Sequence, residues 1–219
     1  MFYARPELLP DDKVACRDSI GGSPVLPAGQ EWPVCPKSGE RMVLFFQFDI
    51  RTEFALPFAS GSHLSVFMSP QVNEIPTFNF IPSGQRLPER FWEGREPHFT
   101  VLLYPPGMPE QKSLPPDPSL EHRRLIFEPV KAVEEPGLYV GGEPQWLQDP
   151  EEHPGPNGEP MAFICQLTEN YGFPKRPGAP SQPDSFSHNE YCLFLGNQSY
   201  FFGMPSRPEP EAVWVVVQN

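Results

Sequence analysis

Basic residues are scarce in this chain: its 219 residues carry 16 Lys and Arg against 28 Asp and Glu, a formal charge of −12. A phosphate backbone would be repelled by such a surface, which excludes nucleic acid as a natural ligand and favours a basic protein. Long apolar runs are also missing. The longest, MVLFF from Met42 and VWVVV from Val213, fall far short of the ~20 residues of a membrane span. The start, MFYARPELLPDD, has neither the cationic region nor the apolar region of an export signal. A cytoplasmic location with no membrane partner is the expectation. Cysteine is limited to Cys16, Cys35, Cys165 and Cys192, without the paired spacings of a disulfide framework or zinc site. In CPKS, from Cys35, Ser38 stands where a knuckle needs its second sulfur. No cofactor or metal is expected, and a chain this long buries roughly 70% of its unfolded surface without one.

Catalytic signatures are absent as well. There is no Gly-x-Ser-x-Gly elbow, His-Glu-x-x-His, P-loop or Gly-x-Gly-x-x-Gly. The histidines His63, His98, His122, His153 and His188 are scattered. An enzyme using a Cys–His pair stays open as an alternative, because such pairs are assembled by the fold; the main expectation is a protein that is not an enzyme.

Proline is abundant instead, with 32 residues, about three times the usual share. It excludes long helices and central-strand positions whose amide must donate, and implies long ordered loops. Aromatic residues make up 13%, so the chain has the means to build a core. Short runs of β-branched and aromatic residues bounded by Gly, Pro, Asn or Ser predict strands. PSLEHRRLIFE from Pro118 and PERFWEG from Pro88 are the helix or single-turn candidates. The class is mainly β.

Two passages recur about 120 residues apart. Gly21-Gly22-Ser23-Pro24 matches Gly141-Gly142-Glu143-Pro144, and SGERMVLFFQF from Ser38 matches NGEPMAFICQL from Asn157 after a one-residue gap. More loosely, SHLSVFMS from Ser62 matches EYCLFLGN from Glu190, and HFTVLLY from His98 matches AVWVVVQ from Ala212. The expectation is a single domain over 1–219 made of two repeats, about 15–110 and 135–219, whose unclosed sheets pack into one compact roll or sandwich with long proline-rich loops and few short helices.

Each Gly-Gly pair precedes a residue held extended by the proline behind it, so glycine supplies the positive φ that turns the chain. A phosphate cradle would need more glycines and a helix opening directly behind. Strand alternation places Gln47 on one face with Val43 and Phe45, and Gln166 with Ala162 and Ile164. A buried amide needs partners. Two readings follow: the glutamines bond backbone groups of a Gly-Gly turn, or they face one another across a cleft and hold an extended peptide.

Between Glu134 and Glu159 there are seven carboxylates (Glu134, Glu135, Glu143, Asp149, Glu151, Glu152 and Glu159) and no Lys or Arg. Such a run is either a solvated face or an interface. Trp146 lies within it, an aromatic of the type enriched at binding hot spots, in a loop stiffened by proline.

The blocks GGSPVLPAGQEWPVC, RMVLFFQFDI and GGEPQWLQDP resemble the signature of the YwqG-like family, bacterial proteins of duplicated, mainly-β architecture. The matching positions are Gly21, Gly22, Pro24, Leu26, Pro27, Trp32, Pro33, Gln47, Gly141, Gly142, Pro144, Trp146 and Gln166. The resemblance implies protein binding. Members look like immunity proteins encoded beside type VI and polymorphic toxins, and relatives similar to programmed cell death protein two chaperone a ribosomal protein. The expected function is therefore to bind and neutralise a cognate secreted toxin, with a basic nuclease domain as the partner and Glu143, Trp146, Asp149, Glu151, Glu152 and Glu159 as the contact residues. The alternative client is a basic ribosomal protein.

Overall fold

Strands begin where the β-branched and aromatic runs do, and almost every one is broken off by proline, glycine or a polar pair. A computed structural model describes residues 1–10, 16–71, 98–111, 114–151, 154–155, 158–183, 187–205 and 213–218. The strands are β1 Phe2–Leu8, β2 Ser19–Ile20, β3 Val43–Asp49, β4 His63–Met68, β5 Phe99–Tyr104, β6 Arg123–Pro129, β7 Leu138–Val140, β8 Ala162–Leu167, β9 Gly172–Pro174, β10 Glu190–Cys192, β11 Gln198–Gly203 and β12 Val213–Gln218. Ten of them form one sheet in the order β12-β11-β8-β7-β1-β6-β2-β3-β4-β5, and β9 and β10 form a separate hairpin. A short 3-10 turn occurs at Thr52–Phe54, and a tight turn at Leu193–Gly196 carries Phe194, Leu195 and Gly196 at positive φ. The chain is mainly β, two related β units in one body.

The strand order reads the same from both ends. β5 answers to β12, β4 to β11, β3 to β8, β2 to β7 and β1 to β6. At the centre β1 and β6 pair antiparallel, Phe2 opposite Pro129 and Leu8 opposite Arg123. The ends of that pair carry matching bonds: Leu9 N–H donates to His122 O at 3.0 Å, and Val130 N–H to Met1 O at 3.1 Å. Each repeat thus lends its first strand to the other, since β1 also pairs with β7 and β6 with β2. Pro6 sits in β1 without penalty, because β7 reaches only Phe2 and Tyr3. These correspondences take in two strands, β1 and β6, upstream of the repeat bounds drawn from sequence.

Three sequence expectations are corrected. The helix candidate from Pro118 contains β6, because Leu125-Ile126-Phe127 pairs with β1; pairing on both sides outweighs local propensity. The counterpart of β4 is β11, not the run from Glu190, which folds into β10 against β9. Finally, Gln47 does not share a face with Val43 and Phe45. Pairing of β3 with β4 skips Phe45, so a bulge carries both Phe45 and Phe46 into the central core and returns Gln47 to the outer face with Leu44. The same bulge recurs in β8 at Ile164, which pairing with β11 skips. The PERFWEG candidate lies outside the described residues.

The inner faces of both halves meet in one core that includes Val43, Phe46, Phe48, Ile164, Phe201 and Val215. Phe46 and Phe201, from opposite halves, pack edge to face at 5.7 Å. Each outer face has its own smaller cluster: Leu26, Trp32, Leu44, Phe67 and Leu102 in the first half, and Trp146 with Tyr200, Phe202, Trp214 and Val216 in the second. The Gly-Gly-x-Pro loops are the lids over these clusters, which is how they come to be positioned by side chains of the sheet.

Candidate functional site

Both Gly-Gly-x-Pro turns are held by one device. All four glycines have positive φ: 59° and 78° at Gly21 and Gly22, 71° and 74° at Gly141 and Gly142. The bulge carbonyls accept the first glycine amide, Gly21 N–H to Phe45 O at 3.4 Å and Gly141 N–H to Ile164 O at 2.9 Å. The strand glutamines then take the residue after proline: Val25 N–H donates to Gln47 Oε1 at 2.9 Å, and Gln145 N–H to Gln166 Oε1 at 2.8 Å. Of the two readings of these amides, the first describes the geometry, and the turn each one holds belongs to its own repeat. The copies are unequal. Gln47 Nε2 faces Cys16 O, Ser19 Oγ and Ser23 O at 2.9 to 3.1 Å, whereas the buried Gln166 Nε2 has no partner among the described residues.

Around Gln47 the first half carries a charged network. His63 Nδ1 lies 2.8 Å from Asp49 Oδ1 and its Nε2 3.3 Å from Gln47 Oε1. Arg17 grips Asp49 with Nε and Nη2 at 2.6 and 2.8 Å and also bonds Glu110. Burial opposes ionisation of Asp49, but hydrogen bonds from His63 and Arg17 outweigh it and hold the carboxyl at about 2. Tyr104 faces His63 across β4 and β5, and a crevice of about 30 Å³ opens there between Pro27 and the 105–110 loop.

In the second half, the same part of the sheet binds the chain's own acidic loop. Tyr200 OH donates to Gln145 O at 2.8 Å and accepts Leu147 N–H at 2.9 Å. Gln198 Nε2 donates to Gln145 O at 2.8 Å. Gln218 Oε1 accepts the amides of Leu147 and Gln148, both at 3.1 Å, and its Nε2 donates to Asp149 O and Glu151 Oε1, both at 3.0 Å. Three buried side chains therefore fix the main chain of residues 145–149, and Glu143, Leu147, Gln148 and Asp149 are turned to solvent.

Trp146 is not the free anchor its type had implied. It stacks on Phe202 at 5.8 Å and packs at a tilt against Tyr200 at 4.4 Å, in the outer cluster where the first half has Leu26; the exposed apolar residue is its neighbour Leu147, at 47%. Glu151 and Glu159 are half-buried, and Glu152 lies outside the described residues. Pro24 is buried and Pro144 half-buried in their turns. Trp32 closes the first outer cluster and donates its indole N–H to Met42 O at 2.8 Å. Gln198, Tyr200 and Gln218 went unread in the sequence, although Gln218 follows an apolar run as Gln47 and Gln166 do.

Elsewhere, the four cysteines are free thiols. Burial works against ionisation of Cys35, but bonds from the amide and hydroxyl of Ser38, the amide of Lys37 and the hydroxyl of Ser69 lower its thiol below the usual range. Among the described residues, no three His, Cys, Asp or Glu side chains come together as a metal site, and no helix is long and apolar enough to cross a membrane. A wide cleft of about 710 Å³ lies along the β9–β10 hairpin, with Lys175, Arg176, His188 and Glu190 on its walls. Lys175 is engaged there, its Nζ donating to Pro180 O at 3.1 Å and lying 5.2 Å from the Tyr191 ring.

A scan against protein-family models finds no match to this chain, and a search of curated proteins finds no match either.

Proposed function

We propose that this protein binds a basic polypeptide through the loop 143–151, as an immunity-type protein that blocks a cognate secreted nuclease toxin. The observation that carries the reading is the clamped acidic loop. Its backbone is held by Gln198, Tyr200 and Gln218, its carboxylates Glu143 and Asp149 are exposed, and the chain has no Lys or Arg between Lys131 and Lys175. A loop ordered beforehand loses little entropy on binding, and a one-signed patch steers an oppositely charged partner and raises its association rate. A nuclease must present a cationic face to its substrate, so the charges complement one another. The resemblance to YwqG-like immunity proteins adds to the same reading. Leu147, exposed on a fixed backbone among carboxylates, is the apolar contact that desolvates on binding.

The test uses stopped-flow association with the purified toxin domain, at several salt concentrations. Reversing Glu143, Asp149 and Glu151 to lysine is expected to slow association about tenfold or more at low salt and to flatten its salt dependence. Leu147→Ala is expected to act on dissociation. An unchanged association rate and salt slope in the triple variant would make the loop a solvated face and end the proposal.

A further inference from the structure

We propose that the outward side of the Trp146 ring is the seat for an arginine of the partner polypeptide, between the carboxylates of Glu143 and Asp149. The inference rests on the protein-binding reading above and names the side chain that the acidic loop recognises.

Packing fixes which side of the ring is open. Tyr200 and Phe202 are alternate residues of β11 and stand together on its outer face. Trp146 lies over both, with 13° between its plane and that of Phe202 at 5.8 Å, and with its ring centre 4.4 Å from that of Tyr200. Both residues meet the inner side of the indole, so what stays exposed of this half-buried side chain is its outer side. Packed in this way, Trp146 cannot enter a pocket on a partner. It offers instead a flat aromatic surface that is already ordered before binding.

The first half shows what such a ring takes. Trp32 belongs to the outer cluster there, and the Arg41 guanidinium lies over its ring at 5.3 Å. The chain repeats the arrangement with Arg51 over Phe127 at 4.9 Å and with Lys175 Nζ over Tyr191 at 5.2 Å. The face of an aromatic ring is electron-rich and attracts a cation. Trp146 receives none from its own stretch, because no Lys or Arg stands between Lys131 and Lys175. Among the described residues, no cation lies over it.

Charge supplies the rest of the argument. Glu143 and Asp149 stand three residues before and three after Trp146, and both are exposed. The main chain between them is held by Gln198, Tyr200 and Gln218, so the ring and its flanking carboxylates form one fixed surface. A cation over the indole is attracted from both flanks, and an anion is repelled. Arginine suits this surface better than lysine. Its planar guanidinium stacks on an aromatic face, leaves its edge N–H groups for carboxylates, and is more weakly hydrated than an ammonium. What the first half takes from its own Arg41, the second half takes from outside.

The probe is the blocked peptide acetyl-Arg-Arg-Arg-amide, added to the full chain at low salt and compared with the tri-lysine peptide of equal charge. It is expected to shift the indole N–H resonance of Trp146 and the amides of Leu147 and Gln148, with a dissociation constant of about 1 mM, typical of one short segment. The arginine peptide is expected to bind about threefold or more tighter than the lysine peptide. Trp146→Leu places there the residue that the first repeat has at Leu26; it is expected to remove the preference and to weaken the arginine peptide about fivefold. Trp146→Phe keeps an aromatic face and is expected to retain the preference. Equal affinity of the two peptides for the unaltered chain, an arginine preference that survives Trp146→Leu, or no response at the Trp146 indole would each overturn the proposal. Binding of both peptides that depends on Glu143 and Asp149 but not on Trp146 would also overturn it while leaving the acidic-loop reading in place, so the two fail separately.

Discussion

Replacing Gln47 and Gln166 in turn by methionine, which keeps the length of the side chain and removes its amide, separates two copies of one device. Both variants lose the acceptor for one turn amide, Val25 N–H or Gln145 N–H. Gln47 also satisfies Cys16 O and Ser23 O and lies against the buried His63 Nε2, whereas Ser19 Oγ, its other partner, keeps a bond to Gly21 O. Each orphaned buried group costs about 1–3 kcal/mol, less where water can reach it; Val25 and Ser23 are half-buried. Gln47→Met should therefore destabilise by about 3–5 kcal/mol. Gln166→Met leaves one amide unsatisfied but also removes an Nε2 that is already buried without a partner, so its cost should be about 1 kcal/mol. At about 2–4 °C per kcal/mol for a chain of this size, calorimetry should find a Tm drop of about 6–20 °C for the first variant and about 2–4 °C for the second. Equal drops, or a larger one for Gln166→Met, would refute the account of the two environments.

Further outcomes follow from the same geometry. Gly141→Ala forces alanine to φ +71° and sets its Cβ 2.7 Å from Phe54 O, whereas Gly29→Ala at φ +89° meets nothing within 4 Å. Urea denaturation should find the first destabilising by about 2–4 kcal/mol and the second by about 1 kcal/mol, and equal values would contradict the close approach. The Asp49 carboxyl, held at about 2 in the folded protein against ~4 when unfolded, contributes stability that is full above pH ~4 and lost as the pH falls towards 2. Asp49→Asn should flatten the stability curve across that window and leave its slope above pH ~5 unchanged; an unaltered acid limb would count against the Arg17–Asp49–His63 network. Burial raises the Cys165 thiol well above its ordinary range, and Cys35 and Cys192 are buried while Cys16 is half-exposed. Iodoacetamide on the native protein should label Cys16 first, and mass spectrometry finding Cys165 labelled at a comparable rate would contradict its burial.

Much of the fold was legible because it is written locally. Glycine pairs before Ser23-Pro24 and Glu143-Pro144 select a positive-φ turn wherever they occur, and runs such as VLFFQF and AFICQL select strands, so the duplication and the mainly-β class were readable without a structure. An amide on an apolar strand must be satisfied, so Gln47 and Gln166 could be assigned to backbone groups of the glycine turns. The face they occupy could not be read, since a single bulged residue at Phe45 or Ile164 inverts the alternation and no local signal marks it. The strand β6 was hidden for a similar reason: LEHRRLIFE is compatible with a helical period, and only β1 and β2 on either side make it a strand. The site divides along the same line. Composition alone determined that the chain is acidic and where its carboxylates gather. Which residues of that stretch face solvent was decided by Tyr200 and Gln218, more than 50 residues further along the chain, and they draw Trp146 into the outer cluster while leaving Leu147 exposed. A turn or strand depends on neighbours a few residues away, whereas burial depends on what the folded chain brings against a side chain, and that is set by contacts no local stretch contains.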